Sequence, residues 1–265
     1  MKAVALILIA LLSLPGPARA QTDMLRAELL PGWRMPDGTR MAALRLTLAP
    51  EWKTYWRRPG DAGIPPEFDW SGSENLGAVR VHWPRPEVFH LNGMQTIGYR
   101  REVVLPIEVT PRDPARPVVL RAQVDLGVCH DICVPAALSL AAELAGPGAP
   151  DPAIRAALAD RPDTAAEAGV RGVTCQVDPI ADGLRVTATI DMAAAGREET
   201  VVLDPDDPDI WVAEAQTDRQ GTRLTAVAEM VAPSGQPFAL DRGALLVVVL
   251  AEGRAVEIEG CPAAR

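Results

Sequence analysis

The stretch VVLRAQVDLGVCHDICVPAALSLAAEL, residues 118–144, decides the fold. Val118, Leu120, Ala122, Val124 and Leu126 alternate along its first half, and Leu138, Leu140, Ala142 and Leu144 along its second. Alternate residues of a strand share one face, so each half predicts a strand with one apolar side. Cys129 and Cys133 then fall at the tip of a hairpin, with residues 138–144 returning. Pro135 suits the start of the returning strand, because it has no N–H to give to a ladder.

The same alternation recurs in Leu44/Leu46/Leu48, Leu184/Val186/Ala188/Ile190 and Leu224/Ala226/Ala228/Met230. Between these runs lie turn signals such as Pro31-Gly32, Pro59-Gly60-Asp61, Asp204-Pro205-Asp206-Asp207-Pro208 and Ser234-Gly235. Many short strands without interleaved long amphipathic helices predict an all-β protein built from antiparallel sandwiches. A Pro/Gly-rich break from Gly146 leads into an alanine-rich stretch, with a turn or two of helix capped near Asp151. The expected layout is a first domain over 21–145, a short partly helical linker over 146–169 and a second sandwich over 170–265. Nine of the eleven aromatic residues lie between Trp33 and Tyr99, which concentrates distinctive content in the first domain.

Residues 1–20 carry Lys2, an apolar run from Ala3 to Leu14, and Ala18-Arg19-Ala20 ahead of Gln21. This is the pattern of a secretory signal peptide cleaved near Ala20, and the apolar run is too short to span a bilayer. An exported, periplasmic chain without direct membrane insertion is the expectation. Cleavage removes Lys2 and Arg19 and takes the formal net charge from −9 to −11. Such a surface repels nucleic acid and anionic membranes, so neither is an expected partner.

In an exported protein, two cysteines this close point to reversible disulfide chemistry, an inert staple or metal capture. Exchange needs an attacking thiolate and a nearby resolving thiol, which Cys129 and Cys133 supply, with Cys133 taken as the resolving candidate. Closing so short a loop removes little entropy from the unfolded chain, so stability is a weak reason for the pair. Soft thiolates beside His130, with His82, His90 and Met94 elsewhere, offer copper(I) a competing reading, yet no ligand spacing repeats. No cofactor or resident metal is expected. Four cysteines allow three pairings, and only Cys129 with Cys133 plus Cys175 with Cys261 keeps each pair within one domain. Cys175 falls in the first strand candidate of the second domain and Cys261 in the last, where a structural disulfide closing a long loop is expected. Trp52, Tyr55, Trp56, Phe68, Trp70 and Trp83 are expected to fill the core and its closing loops rather than to form a ligand platform.

Residues 52–66 (WKTYWRRPGDAGIPP), Phe68-Asp69-Trp70, Trp83-Pro84, Ile97-Gly98-Tyr99, Val104-Leu105-Pro106 and the cysteine segment together resemble one family. They are similar to the periplasmic N-terminal domain of the DsbD thiol:disulfide interchange proteins, most of all to the suppressor-of-copper-sensitivity protein B (ScsB) branch. The resemblance covers about residues 24–145. It implies an immunoglobulin-like sandwich with Cys129 and Cys133 as the redox cysteines, and a second immunoglobulin-like sandwich in tandem is compatible with the ScsB branch. It also implies a thiol:disulfide oxidoreductase of the protein-disulfide reductase type, taking electrons from a membrane-embedded DsbD/CcdA-type donor and passing them to periplasmic thioredoxin-fold proteins. Phe89 falls where the family carries a cap loop that shields the pair. The sequence shows neither the family's transmembrane domain nor its thioredoxin-like domain, so exchange is expected to depend on separate partners. The competing expectation is a copper-binding or adaptor module in which the cysteine pair is structural.

Overall fold

The computed structural model describes residues 23–264 except 61, 92 and 206. The signal-peptide expectation for residues 1–20 lies outside them. The first half of the chain holds β1 (Leu25–Arg34), β2 (Arg40–Leu48), β3 (Lys53–Gly60), β4 (Glu67–Asp69) and β5 (Leu76–Val81). It continues with β6 (Glu87–Leu91), β7 (Met94–Arg100), β8 (Glu102–Pro111), β9 (Val118–Cys129) and β10 (Cys133–Leu144). One sheet runs β1-β2-β8-β5, and the facing sheet runs β10-β9-β3-β7-β6 with β4 added on β9. All pairings in these two sheets are antiparallel. Leu44, Leu46, Leu105 and Ile107 from one sheet and Trp56, Ile97, Leu126 and Val128 from the other meet in one apolar core.

After α1 (Pro152–Ala159) and β11 (Asp163–Thr164) come β12 (Gly172–Pro179), β13 (Leu184–Asp191), β14 (Thr200–Asp204) and β15 (Trp211–Val212). β16 (Gln216–Gln220), β17 (Arg223–Val231), β18 (Leu246–Ala251) and β19 (Arg254–Glu259) complete the chain. They form a β11-β19-β18-β14 sheet and a β12-β13-β17-β15 sheet with β16 on β17. A second core of Val186, Ala188, Ile190, Leu224, Ala226, Val247 and Val249 lies between them. The protein is thus all-β and sandwich-built. Every alternating run read from the sequence is a strand: residues 44–48 in β2, 118–126 in β9, 138–144 in β10, 184–190 in β13 and 224–230 in β17.

The stretch read as a linker is more integrated than its composition suggests. Asp151 caps α1, its carboxylate accepting from the Ala153 and Ile154 amides, as expected where four helix N–H groups lack partners. Ile154 is fully buried against Met41, Ala43 and Val104 on the outer side of the β2–β8 sheet. Asp163 and Thr164 pair in parallel with β19 and are part of the second sandwich's sheet. The helix therefore packs on one sandwich and the next residues hydrogen-bond into the other.

Candidate functional site

The site is built on the outer face of the β3-containing sheet. Thr54 and Trp56 point to the core, which leaves Lys53 and Tyr55 on the opposite side of β3. Lys53 pairs with Arg100 on β7 and with Cys129 on β9, so these three residues form one row across adjacent strands. Tyr55 pairs with Gly98, and continuing the β3–β9 register brings Gly127 to its other side. Tyr55 therefore has a glycine as its cross-strand partner on either side. A Cβ on Gly98 would stand 2.0 Å from the Thr54 carbonyl oxygen, and one on Gly127 would stand 2.7 Å from Ile64 Cβ. The exposed-buried alternation of β9 stops at Leu126, and every residue from there to Cys129 is buried.

Cys129 pairs with Cys133 at the end of the β9–β10 ladder, and the two sulfurs are bonded with their Cα atoms 4.1 Å apart. Cys129 is only 2% exposed, whereas Cys133 is exposed. The hairpin tip closes with the His130 amide donating to the Ile132 carbonyl at 3.2 Å. Ile132, 71% exposed, projects from this tip. His130 Nδ1 lies 2.9 Å from Asp131 Oδ2, and its ring centroid is 5.9 Å from that of Trp52.

Tyr55 reaches the disulfide. Its hydroxyl donates to Cys129 Sγ at 2.9 Å and lies 3.3 Å from Cys133 Sγ. Burial pushes the Tyr55 pKa up, which keeps the phenol protonated and able to donate at neutral pH. Lys53 Nζ sits 5.7 Å from the Tyr55 ring centroid and 5.0 Å from that of Phe89, and it donates to Thr96 Oγ1 at 2.9 Å. Burial, then repulsion from Arg100, lowers the Lys53 pKa. Phe89 is 5% exposed, with the Arg100 guanidinium also over its ring, 4.3 Å from the centroid. The sequence position expected to cap the pair thus meets it through Lys53 and Tyr55. Asn92, in the same segment, lies outside the described residues.

Residues 26–144 match the family described as thiol:disulfide interchange protein DsbD, N-terminal. This part of the chain is a DsbD-family N-terminal domain. The chain is also similar to the crystal structure of the N-terminal periplasmic domain of ScsB from Proteus mirabilis. That match has a TM-score of 0.66 and 25% sequence identity, and it covers 95% of this chain and 97% of the other. No curated protein sequence matches the chain. The similarity to ScsB extends through the second sandwich, beyond the DsbD-family domain itself.

The other residues singled out from the sequence lie elsewhere. Cys175, on β12, is bonded to Cys261, which stands two residues beyond β19 rather than within a strand. Both are buried in the second core. His82 pairs with Glu108 at 3.0 Å on the β5–β8 side, and His90 is exposed on β6. Among the described residues no group of three or more His, Cys, Asp or Glu side chains is placed to hold a metal. Of the aromatics assigned to packing, Trp56 is fully buried in the core and Phe68 stacks on Trp70 at 5.5 Å. Tyr55 departs from that role, because it is buried on the sulfurs rather than in the sandwich interior. Its signal in the sequence is the phase of Lys53-Thr54-Tyr55-Trp56, which sets Tyr55 opposite Trp56.

Proposed function

We propose that the chain is a periplasmic thiol–disulfide exchange module that works through Cys129 and Cys133. The observation that carries this reading is the asymmetry of the pair, with one sulfur buried under a hydrogen-bond donor and the other on an exposed residue. A partner thiolate attacks Cys133 Sγ, forming a mixed disulfide and expelling Cys129 as a thiolate. The leaving thiolate accepts the Tyr55 hydrogen bond, which is stronger to an anion than to a neutral sulfur. A second thiol attacks the mixed disulfide, so that two thiols become one disulfide and the module gains two electrons and two protons as a dithiol. Run backwards, the dithiol reduces a partner disulfide, with Cys133 attacking and Cys129 resolving. These exposures reverse the resolving role that the sequence suggests for Cys133.

Family membership supports a membrane-embedded DsbD/CcdA-type electron donor and periplasmic thioredoxin-fold acceptors as partners. Among the described residues no helix is long and apolar enough to cross a membrane. In this reading residues 21–145 are the redox domain, 146–169 connect it, and 170–265 form an immunoglobulin-like second domain stapled by Cys175–Cys261. Phe89 acts as a cap by holding Lys53 against Tyr55. The test is equilibration of residues 21–265 in glutathione buffers, with alkylated thiols counted peptide by peptide. A Cys129–Cys133 potential of roughly −180 to −270 mV supports exchange, and a value below about −300 mV without response to a thioredoxin-fold protein marks a structural staple.

A further inference from the structure

β3 leaves its ladder with β7 after Tyr55 and rejoins it at Gly60. In that gap the strand is gripped by the second sandwich. Arg57 Nε donates to Asp204 Oδ2 at 2.6 Å, and its terminal nitrogen donates to Glu257 Oε2 at 2.7 Å. Arg58 Nε donates to the other oxygen of the same carboxylate, Asp204 Oδ1, at 2.5 Å. The remaining Arg58 nitrogens reach the carbonyls of Pro205, Asp207 and Ile210. Asp204 ends β14, and its side chain is 8% exposed. Burial opposes the charge on Arg57, but the carboxylates of Asp204 and Glu257 outweigh it and hold its pKa above the usual value.

One buried carboxylate thus ties two consecutive β3 side chains to the other sandwich, only two and three residues beyond Tyr55. No ladder pairs Trp56 to Pro59 with β7, so beyond the burial of Trp56 in the core those ion pairs help to fix the course of β3 there. The Tyr55 hydroxyl contacts both sulfurs, and small shifts of its strand change both contacts.

We infer that Asp204 is a positioning residue for the exchange reaction: through Arg57 and Arg58 it keeps Tyr55 aimed at the Cys129–Cys133 sulfurs. The second sandwich then contributes to redox chemistry that takes place wholly on the first. The inference rests on the exchange reading, and the test separates the two.

Reduced glutathione serves as the probe, and the rate of opening of the Cys129–Cys133 disulfide is followed in wild type, Asp204→Asn, Tyr55→Phe and the double variant. Asp204→Asn slows opening by about fivefold, on the scale of a weakened charge-assisted hydrogen bond. In the Tyr55→Phe background the same change has less than about a twofold effect, because coupled residues are not additive. An equal loss in both backgrounds, or no loss in wild type, overturns the inference. Glu257→Gln removes only the charge of the second acceptor of Arg57 and gives a smaller effect of the same sign, which decides the matter if Asp204→Asn does not fold. Amide hydrogen exchange over residues 54–58 quickens in the Asp204 variant whether or not the disulfide reacts. A disulfide inert to glutathione in wild type overturns the exchange reading alone, and unchanged amide exchange overturns the positioning role alone.

Discussion

The Tyr55 hydroxyl stands 2.9 Å from Cys129 Sγ, so in the proposed exchange a thiolate leaving from the buried half of the disulfide would meet a hydrogen bond already made. Replacing Tyr55 by Phe removes that donor and little else, because the ring keeps its place. Opening of the disulfide by a thiol is expected to slow about tenfold, with the Cys129 thiol pKa raised in the reduced form. Stopped-flow reduction and alkylation against pH read the two effects. An unchanged rate would show that the phenol only packs.

Single cysteine variants distinguish the two sulfurs. In Cys129→Ser the remaining Cys133 thiol is exposed, and it is expected to alkylate quickly and to hold a partner as a stable mixed disulfide. In Cys133→Ser the remaining Cys129 thiol is 2% exposed and is expected to alkylate at least about tenfold more slowly. Mass spectrometry after timed alkylation ranks them, and equal rates contradict the assignment of Cys133 as the attacked sulfur.

Removal of the second disulfide should tell on stability rather than on chemistry. Cys175 and Cys261 are 86 residues apart, a span whose closure restricts the unfolded chain by about 4.5 kcal/mol in the chain-entropy picture, against about 2 kcal/mol for the Cys129–Cys133 loop. The Cys175→Ala/Cys261→Ala variant is expected to unfold at much lower urea concentration while Cys129–Cys133 still exchanges in the folded protein. Chemical denaturation paired with the glutathione assay measures both.

Acid should loosen the turn after Arg161. Hydrogen bonds from the Arg161 side chain, then from the Thr164 amide and hydroxyl, lower the Glu167 pKa to about 2. The folded value lies below the unfolded one, so the charged carboxylate favours folding above the ordinary pKa of 4.5, and that contribution fades as pH falls toward 2. Glu167→Gln is therefore expected to have a flatter stability profile between pH 4.5 and 2 than wild type, with no difference of slope near pH 7. Unfolding midpoints across that range give the answer.

Period-2 alternation made β2, β9, β10, β13 and β17 legible, because alternate apolar side chains of each turn toward a core. The hairpin bearing Cys129 and Cys133 followed from the same pattern with no tertiary information. Tyr55 was not legible as a site residue because it sits in an aromatic-rich run, where packing is the ordinary use of a large ring. Its phase against Trp56 hints at the opposite face, and the register, with glycines to either side of it, places it there. The Asp204 pairings with Arg57 and Arg58 had no local signature either. They join residues roughly 150 positions apart through a loop whose Asp and Pro content reads equally well as solvent-exposed turn. Burial of Ile154 was hidden for a related reason, since the alanine-rich, proline-flanked segment around it has the composition of a connector.

The β9–β10 ladder pairs twelve positions in unbroken register, from Cys129 opposite Cys133 to Val118 opposite Leu144. The hairpin is held along its length by backbone hydrogen bonds and core side chains, and the sulfur–sulfur bond sits at its free end. Breaking and remaking that bond asks almost nothing of the rest of the molecule. In the proposed exchange the protein would therefore shuttle between dithiol and disulfide like a spring-loaded contact on a rigid board, with little structural work at each turnover and no need to refold between one partner and the next.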